Sequence, residues 1–134
     1  MTTVSENKHI LQTSLNCVFK KYTDITFAYL FGSYASGEQS TMSDIDIAIY
    51  LKDESNFSFN KLLLFQGDCC RELKRNDVDV LVLNTAKNLL LLQDIILTGK
   101  IIYNTSQTIL DDFELRTMHV VHDFIERNRW EKRL

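Results

Sequence analysis

Residues 26–51 read TFAYLFGSYASGEQSTMSDIDIAIYL, which is an apolar run, a polar gap and an alternating run. Thr26–Phe31 is mainly apolar and predicts a buried strand that ends at Gly32. Residues 32–43 are small and polar, which predicts a loop with room for one helical turn. In Asp44–Leu51 isoleucines recur at every second position, and this period predicts a second strand.

The rest of the chain shows helical and strand periodicities in turn. Apolar spacing predicts helices at Ser5–Lys21, Ser58–Arg75, Leu89–Leu97 and about 109–130. Further strands are predicted at Val78–Leu83 and Lys100–Tyr103. Leu89–Leu97 is apolar on most sides, which is typical of a buried helix. The expected apolar face of the last helix is Leu110, Phe113, Val121 and Phe124. The order of elements predicts an α/β (α+β) fold, with a small mixed sheet packed against helices.

Length and composition describe an ordinary globular chain. Its 134 residues predict a single domain, residues 1–134. The formal net charge of -3 argues against non-specific nucleic-acid binding, which usually needs a basic surface, so no direct nucleic-acid partner is expected. Three cysteines, no signal peptide and no apolar run long enough to span a bilayer lead us to expect a cytoplasmic protein without a membrane partner.

Two acids on the second strand are the first candidate for chemistry. Asp44 and Asp46 are two apart, so both side chains point to one face, while Ile45 and Ile47 point to the other. Adjacent carboxylates repel each other unless a cation joins them, and hard divalent cations such as Mg²⁺ prefer oxygen ligands. Taken alone, the pair also fits two solvent-facing acids on a half-exposed sheet.

The turn after the first strand is the second candidate. Glycine at position 32 would allow a phosphate to approach the backbone, and Ser33 offers a hydroxyl and an N–H group to phosphate oxygens. Ser43, directly before the acidic strand, is a further nucleotide-binding candidate. A Gly-Ser after a strand is ordinarily only a turn. Ten residues separate Ser33 from Asp44, and together the two features suggest a triphosphate at one end and its metals at the other.

Gly-Ser, ten residues and then Asp-x-Asp resembles the signature of the DNA polymerase β-like nucleotidyltransferase superfamily. The chain resembles its smallest branch, the minimal nucleotidyltransferases, with a core motif region at residues 27–83. The superfamily pattern adds a third acid on a neighbouring strand, and Val78-Asp79-Val80 matches it. Asp77 is a rival, but it follows Arg75-Asn76 and resembles the entry turn of that strand.

The resemblance implies two-metal nucleotidyl transfer with ATP as substrate. Asp44 and Asp46 would hold both Mg²⁺ ions, and Asp79 would ligate one of them and activate the acceptor hydroxyl. Many relatives carry an arginine in the loop after Gly-Ser, where this chain has Tyr34 and Ser36. A cation for the triphosphate is therefore missing or comes from elsewhere. The candidates for that cation are Lys52, Lys61 and Arg75.

The minimal branch is best known as the antitoxin half of toxin–antitoxin pairs. The resemblance implies that the partner is a HEPN-family ribonuclease toxin, silenced in a hetero-oligomer by transfer of AMP to one of its tyrosines. Two alternatives stay open: an antitoxin that acts by binding alone, and a nucleotidyltransferase for small molecules such as antibiotics. His119 and His122, three apart on the last helix, are a weaker metal candidate and fit a solvated helix face better.

Overall fold

The computed structural model describes residues 4–32 and 44–133. Its helices are α1 (Val4–Lys21), α2 (Phe59–Leu73), α3 (Leu89–Thr98) and α4 (Gln107–Arg133). Its strands are β1 (Ile25–Phe31), β2 (Ile45–Leu51), β3 (Val78–Val82) and β4 (Lys100–Asn104). Short 3-10 turns follow β2 and β3, at Glu54–Asn56 and Leu83–Thr85. The described elements follow the predicted order, and the α/β fold class is confirmed.

The four described strands form one mixed sheet in the order β3-β2-β1-β4. The central strand β1 is antiparallel to both β2 and β4, whereas β3 is parallel to β2. The parallel pair is possible because α2 carries the chain back along the sheet between the two strands. As a result, the beginnings of β2 and β3 lie side by side at the edge where β1 ends.

Helices cover both faces of the sheet. On the first face, α1 and α2 pack on alternate strand residues, with Leu15 and Phe65 meeting Ile47 in a fully buried cluster. On the second face, α3 and α4 supply Ile95 and Phe113. Their partners on that face include Phe27, Tyr29 and Ala48. The period-two alternation of β2 thus places isoleucines against α1 and α2, and the intervening residues on the side of α3 and α4.

Three predictions about the second face need correction. Helix α4 begins at Gln107 and ends at Arg133, so it is longer at both ends than the predicted 109–130. Its apolar face continues past the body of the sheet, which leaves Phe124 partly exposed instead of buried. Helix α3 buries Leu92 and Ile95, but its outward leucines are exposed, because no further layer covers that side in the described structure. Those leucines are Leu90 and Leu97.

Cys17, Cys69 and Cys70 are free thiols, and Cys69 is fully buried between α2 and the sheet. None of the helices in the described ranges combines the length and apolarity needed to cross a bilayer.

Candidate active site

The strand β2 positions two of the predicted acids. Asp44 is exposed and directly precedes β2, and Asp46 is half-buried within it. The residues between and after them, Ile45 and Ile47, are fully buried against α1 and α2. Burial of these isoleucines holds the strand in register, so the Asp46 carboxylate is directed to the opposite face of the sheet.

The parallel register brings Asp79 beside Asp46. The Cα atoms of Asp46 and Asp79 are direct partners across β2 and β3, and the pairs before and after them are Ile45 with Val78 and Ile47 with Val80. Neighbouring strands lie about 4.8 Å apart, and paired residues of parallel strands share a face. Two acids separated by 33 positions in the chain therefore become immediate neighbours at the beginnings of their strands.

Electrostatics make this group unfavourable without a cation. Partial burial raises the pKa of the Asp46 carboxyl above its usual range, and the carboxylates of Asp79 and then Asp44 raise it further. None of the three acids forms an ion pair with any residue in the described ranges. The site thus concentrates negative charge that the described part of the chain does not neutralise.

Gly32 follows the last residue of β1 and lies directly beside Asp46. Phe31, the last residue of β1, pairs with Asp46 across the antiparallel ladder, and Gly32 follows it with φ = +76°. A Cβ atom at this position would overlap the Oδ2 atom of Asp46. Glycine is therefore required here twice, for its left-handed backbone and for the space that the carboxylate occupies.

Two predicted nucleotide-binding residues, Ser33 and Ser43, lie outside the described residues. The rival acid Asp77 lies just before β3, where its backbone carbonyl accepts a hydrogen bond from the Ile45 N–H group. The Arg75 guanidinium donates to both carboxylate oxygens of Asp77 and holds its pKa below the usual range. This pairing supports the choice of Asp79 over Asp77 as the third acid.

The candidates for the missing loop arginine lie at different ends of the sheet. Lys52 follows β2, where its N–H group donates to the Asp24 carbonyl, and the Lys61 ammonium pairs with the Asp24 carboxylate. Both lie at the far end of β2, a strand length of about 20 Å from the acids. Arg75 is the candidate of the three at the acidic end, through its pairing with Asp77.

The carboxylates of Asp44, Asp46 and Asp79 suit Mg²⁺, although they do not surround a metal ion by themselves. Among residues 4–32 and 44–133, no three His, Cys, Asp or Glu side chains come close enough together to hold a metal ion between them. Mg²⁺ keeps several waters and usually binds through one or two carboxylates and substrate phosphates, so it needs no such cage. Carboxylate oxygens whose negative charge is not neutralised are ligands that suit Mg²⁺. His119 and His122 are exposed on α4 and, within the same ranges, are part of no metal-binding group.

A separate cleft of about 380 Å³ lies between the start of α3 and the middle of α4. Tyr50, Leu83 and Phe113 are among the residues that line it. Tyr50 is at the opposite end of β2 from the acids, so this cleft is not part of the acidic site. The acids lie at the end of the sheet where β2 and β3 begin.

The comparisons with known proteins agree with this geometry. Residues 13–108 match the family described as polymerase beta, nucleotidyltransferase. The chain belongs to this family. The matched range contains β1, β2 and β3, so it includes Gly32 and all three acids. The enzyme class predicted from the sequence, a nucleotidyltransferase, is confirmed at the level of this family.

The names of individual relatives of this nucleotidyltransferase domain refer to adenylyl transfer or to toxin–antitoxin pairs. A protein of Methanocaldococcus jannaschii, provisionally named a protein adenylyltransferase, is 47% identical over 64 residues, which cover 47% of this chain. The match spans 62% of the length of that relative. A chain of a toxin–antitoxin crystallised with AMP-PNP superposes with a TM-score of 0.74 at 25% identity, covering 90% of this chain and 93% of that one. A chain of the toxin–antitoxin MntA-HepT has a TM-score of 0.69 at 21% identity, covering 92% and 93%, and supports the fold alone.

Reasoning from the sequence missed the steric role of Gly32. It assigned this glycine to close approach of a phosphate, whereas the structure adds direct contact with the space of Asp46. The signal that could have revealed it is the strand pairing, because Phe31 and Asp46 lie opposite each other. That pairing depends on the register of two strands and cannot be deduced from either strand alone.

Proposed function

We propose that this chain is a Mg²⁺-dependent protein adenylyltransferase that acts as an antitoxin, transferring AMP from ATP to a tyrosine of a HEPN-family ribonuclease toxin. The observation that carries the proposal is the register that pairs Asp46 with Asp79 beside Gly32. The similarity to a provisionally named protein adenylyltransferase and to a toxin–antitoxin crystallised with AMP-PNP supports the choice of AMP and of a protein acceptor.

In the proposed mechanism each residue has a separate task. Asp44 and Asp46 would hold the two Mg²⁺ ions, and Asp79 would ligate one of them. Bound Mg²⁺ would supply positive charge that offsets the charge of the phosphates and makes the acceptor hydroxyl easier to deprotonate. Gly32, whose missing side chain leaves space for the Asp46 carboxylate, contacts the nucleotide together with Ser33 and Ser43. Of the three candidate cations we assign Arg75 to the triphosphate, because it pairs with Asp77 just before β3.

In the transfer step one bond to the α-phosphorus forms and another breaks. The acceptor hydroxyl oxygen forms a bond to the α-phosphorus, and the bond from that phosphorus to the bridging oxygen of the β-phosphate breaks. Pyrophosphate leaves with the bonding electrons, and Asp79 accepts the hydroxyl proton before it passes to solvent. Positioning and charge neutralisation supply most of the rate, because the protein forms no covalent intermediate.

The test uses the full chain, Mg²⁺, each of the four nucleoside triphosphates and the purified product of the neighbouring gene. Intact mass spectrometry of the neighbour should show a gain of one or more AMP units with ATP, and none with the Asp44→Asn or Asp46→Asn protein. A stable complex without any mass gain would refute the transferase and favour an antitoxin that acts by binding. Transfer to an aminoglycoside but not to the neighbour would instead favour a small-molecule enzyme.

A further inference from the structure

The turn formed by residues 74–77 joins α2 to β3 at the end of the sheet that carries the acids. Within this turn, the Asp77 carbonyl accepts a hydrogen bond of 3.0 Å from the Ile45 N–H group. Because Ile45 lies between Asp44 and Asp46, this bond joins the turn to the strand that carries two of the three acids. The turn therefore lies next to the acidic site, on the side of the edge strand β3.

A shallow depression of about 570 Å³ opens on this turn and on the last part of α2. The residues that line it are Gly67, Cys70, Arg71, Lys74, Arg75 and Asn76. All three charged residues in this lining are cations, although the chain as a whole has a net charge of -3. A depression lined by charges of one sign attracts a group of the opposite sign, so this one favours an anionic ligand.

The neighbouring carboxylates neutralise this positive charge only in part. Arg71 donates to Asp68 at 2.6 Å, but Lys21 pairs with the same carboxylate at 3.1 Å, so two cations share one anion. Lys74 is exposed and has no ion-pair partner among the residues that the structure describes. The depression therefore has positive charge available for a second molecule.

The backbone of Lys74 is a second, independent reason to assign its side chain a role. Lys74 is the C-cap of α2 and has left-handed backbone angles, φ = 54° and ψ = 42°. Glycine is the usual residue with these angles at the end of a helix, because a Cβ atom makes them unfavourable. No other non-glycine residue in the described ranges has a positive φ. A lysine in place of the favoured glycine is an outlier that suggests a function for its side chain.

The order of the strands determines which substrate comes closest to this depression. The proposed nucleotide contacts, Gly32 and Asp46, lie on the side of β1 and β2, whereas the exposed Asp79 lies on the edge strand β3. Lys74 is five residues before Asp79, so their Cα atoms are at most about 18 Å apart. Because β3 is an edge strand, no described strand separates the depression from the face to which Asp79 points. An acceptor that presents its hydroxyl at Asp79 can therefore also contact Lys74.

We propose that the depression, through Lys74 and Arg71, docks an acidic segment of the acceptor protein beside the acidic site. This inference rests on the proposed transfer to a protein. Carboxylates of the acceptor pair with Lys74 and Arg71, and this contact presents the acceptor hydroxyl at Asp79. Arg75 pairs with Asp77 and is assigned to the triphosphate, so it is not part of the docking contact. A nucleic acid is disfavoured as the ligand, because its phosphates require many cations and the chain is acidic.

Substitutions at Lys74 separate the effect of its charge from any effect on the fold. Lys74→Gly removes the charge and relieves the left-handed backbone, so it should raise the melting temperature while it weakens docking. Lys74→Glu reverses the charge, and Lys74→Arg retains it. Lys52→Glu is the matched control, because Lys52 is also exposed but lies at the far end of β2 from the acids.

The acceptor used is the purified product of the neighbouring gene. We expect Lys74→Gly to raise the Kd of the complex and the KM for this acceptor about fivefold, and Lys74→Glu to raise both about tenfold or more. Lys74→Arg and Lys52→Glu should stay within about twofold of wild type. The effect of Lys74→Gly should shrink as salt is raised from about 0.05 M to about 0.5 M, because salt screens exposed charges. The increase in melting temperature caused by ATP and Mg²⁺ should be the same in all five proteins, which shows that the nucleotide site is intact.

The outcomes separate the two proposals. Equal acceptor binding by wild type and Lys74→Gly, or an equal loss with Lys52→Glu, would overturn the docking site while leaving AMP transfer in place. A complex weakened by Lys74→Gly and Lys74→Glu, with no AMP transfer by wild type, would support the docking site and refute the transferase. Tighter binding of a single-stranded RNA oligonucleotide than of the neighbour, lost in Lys74→Gly, would assign the depression to a phosphate backbone and overturn the protein ligand. The absence of any complex between wild type and the neighbour would also overturn it.

Discussion

A Cβ atom at Gly32 would overlap the Oδ2 atom of Asp46, so the Asp46 carboxylate occupies the space that a side chain at position 32 would need. The two residues are brought together by the pairing of Phe31 with Asp46. The glycine of the Gly-Ser motif and the second acid of the Asp-x-Asp motif are thus parts of one packing arrangement.

The first prediction concerns this contact. Gly32→Ala should lower the free energy of unfolding by about 1–3 kcal/mol, because alanine resists φ = +76° and its methyl group displaces Asp46. AMP transfer should fall more than tenfold, since a small displacement of a metal ligand is costly. Thermal denaturation and a transfer assay measure the two effects. The control is Gly67→Ala, which has open space in a helix and should gain about 0.5–1 kcal/mol. Identical melting of the two variants would contradict this explanation.

The second prediction is that the Asp46 carboxylate lowers the stability of the metal-free protein. Asp46→Asn should abolish transfer yet raise the melting temperature of the metal-free protein at neutral pH, because it removes the cost of partly burying a charge and the repulsion from Asp79 and Asp44. The folded-state pKa of Asp46 is raised, so its protonated carboxyl contributes to the stability of the fold. This contribution is complete below the unfolded-state pKa and is lost as pH rises through the folded-state pKa. The advantage of Asp46→Asn should therefore be absent in acid and grow toward neutral pH. A lower melting temperature than wild type at pH 7 would disprove this account.

A third prediction follows from the unneutralised charge. Mg²⁺ with ATP at about 100 times Kd should stabilise wild type by about 2.7 kcal/mol, as expected for a ligand that binds only the folded state. Differential scanning fluorimetry should show the shift disappear with a chelator, and with Asp44→Asn or Asp46→Asn. A full shift in Asp46→Asn would mean that this carboxylate is not a ligand.

The fourth prediction compares two acids near the start of β3. Asp79→Asn should reduce the rate of transfer about hundredfold or more, since Asp79 accepts the hydroxyl proton in the proposed mechanism. Asp77→Asn should change the rate only a few-fold and should lower stability, because it removes the bidentate partner of Arg75. Single-turnover kinetics and melting curves distinguish the two. A larger loss of rate in Asp77→Asn would reverse the assignment of the third acid.

Much of the fold and half of the site follow from local patterns. The alternation of β2 predicts that Asp46 points away from Ile45 and Ile47, because successive strand residues face opposite sides. The apolar spacing that predicts a helix at Ser5–Lys21 places Leu11, Leu15 and Val18 on one side, and the structure buries all three. The prediction of a buried α3 was wrong in part, because an apolar helix is covered only where the fold supplies another layer.

The sequence by itself determined the type and order of the elements and the face that each acid takes, because these depend on residues only a few positions apart. Only the tertiary structure decided that β3 lies parallel to β2 with Asp79 opposite Asp46, and that Gly32 meets the same carboxylate. It also decided that Lys52 and Lys61 lie at the wrong end of the sheet to serve the site. Such relationships depend on strand register, which is set by the packing of both faces at once and not by any one segment.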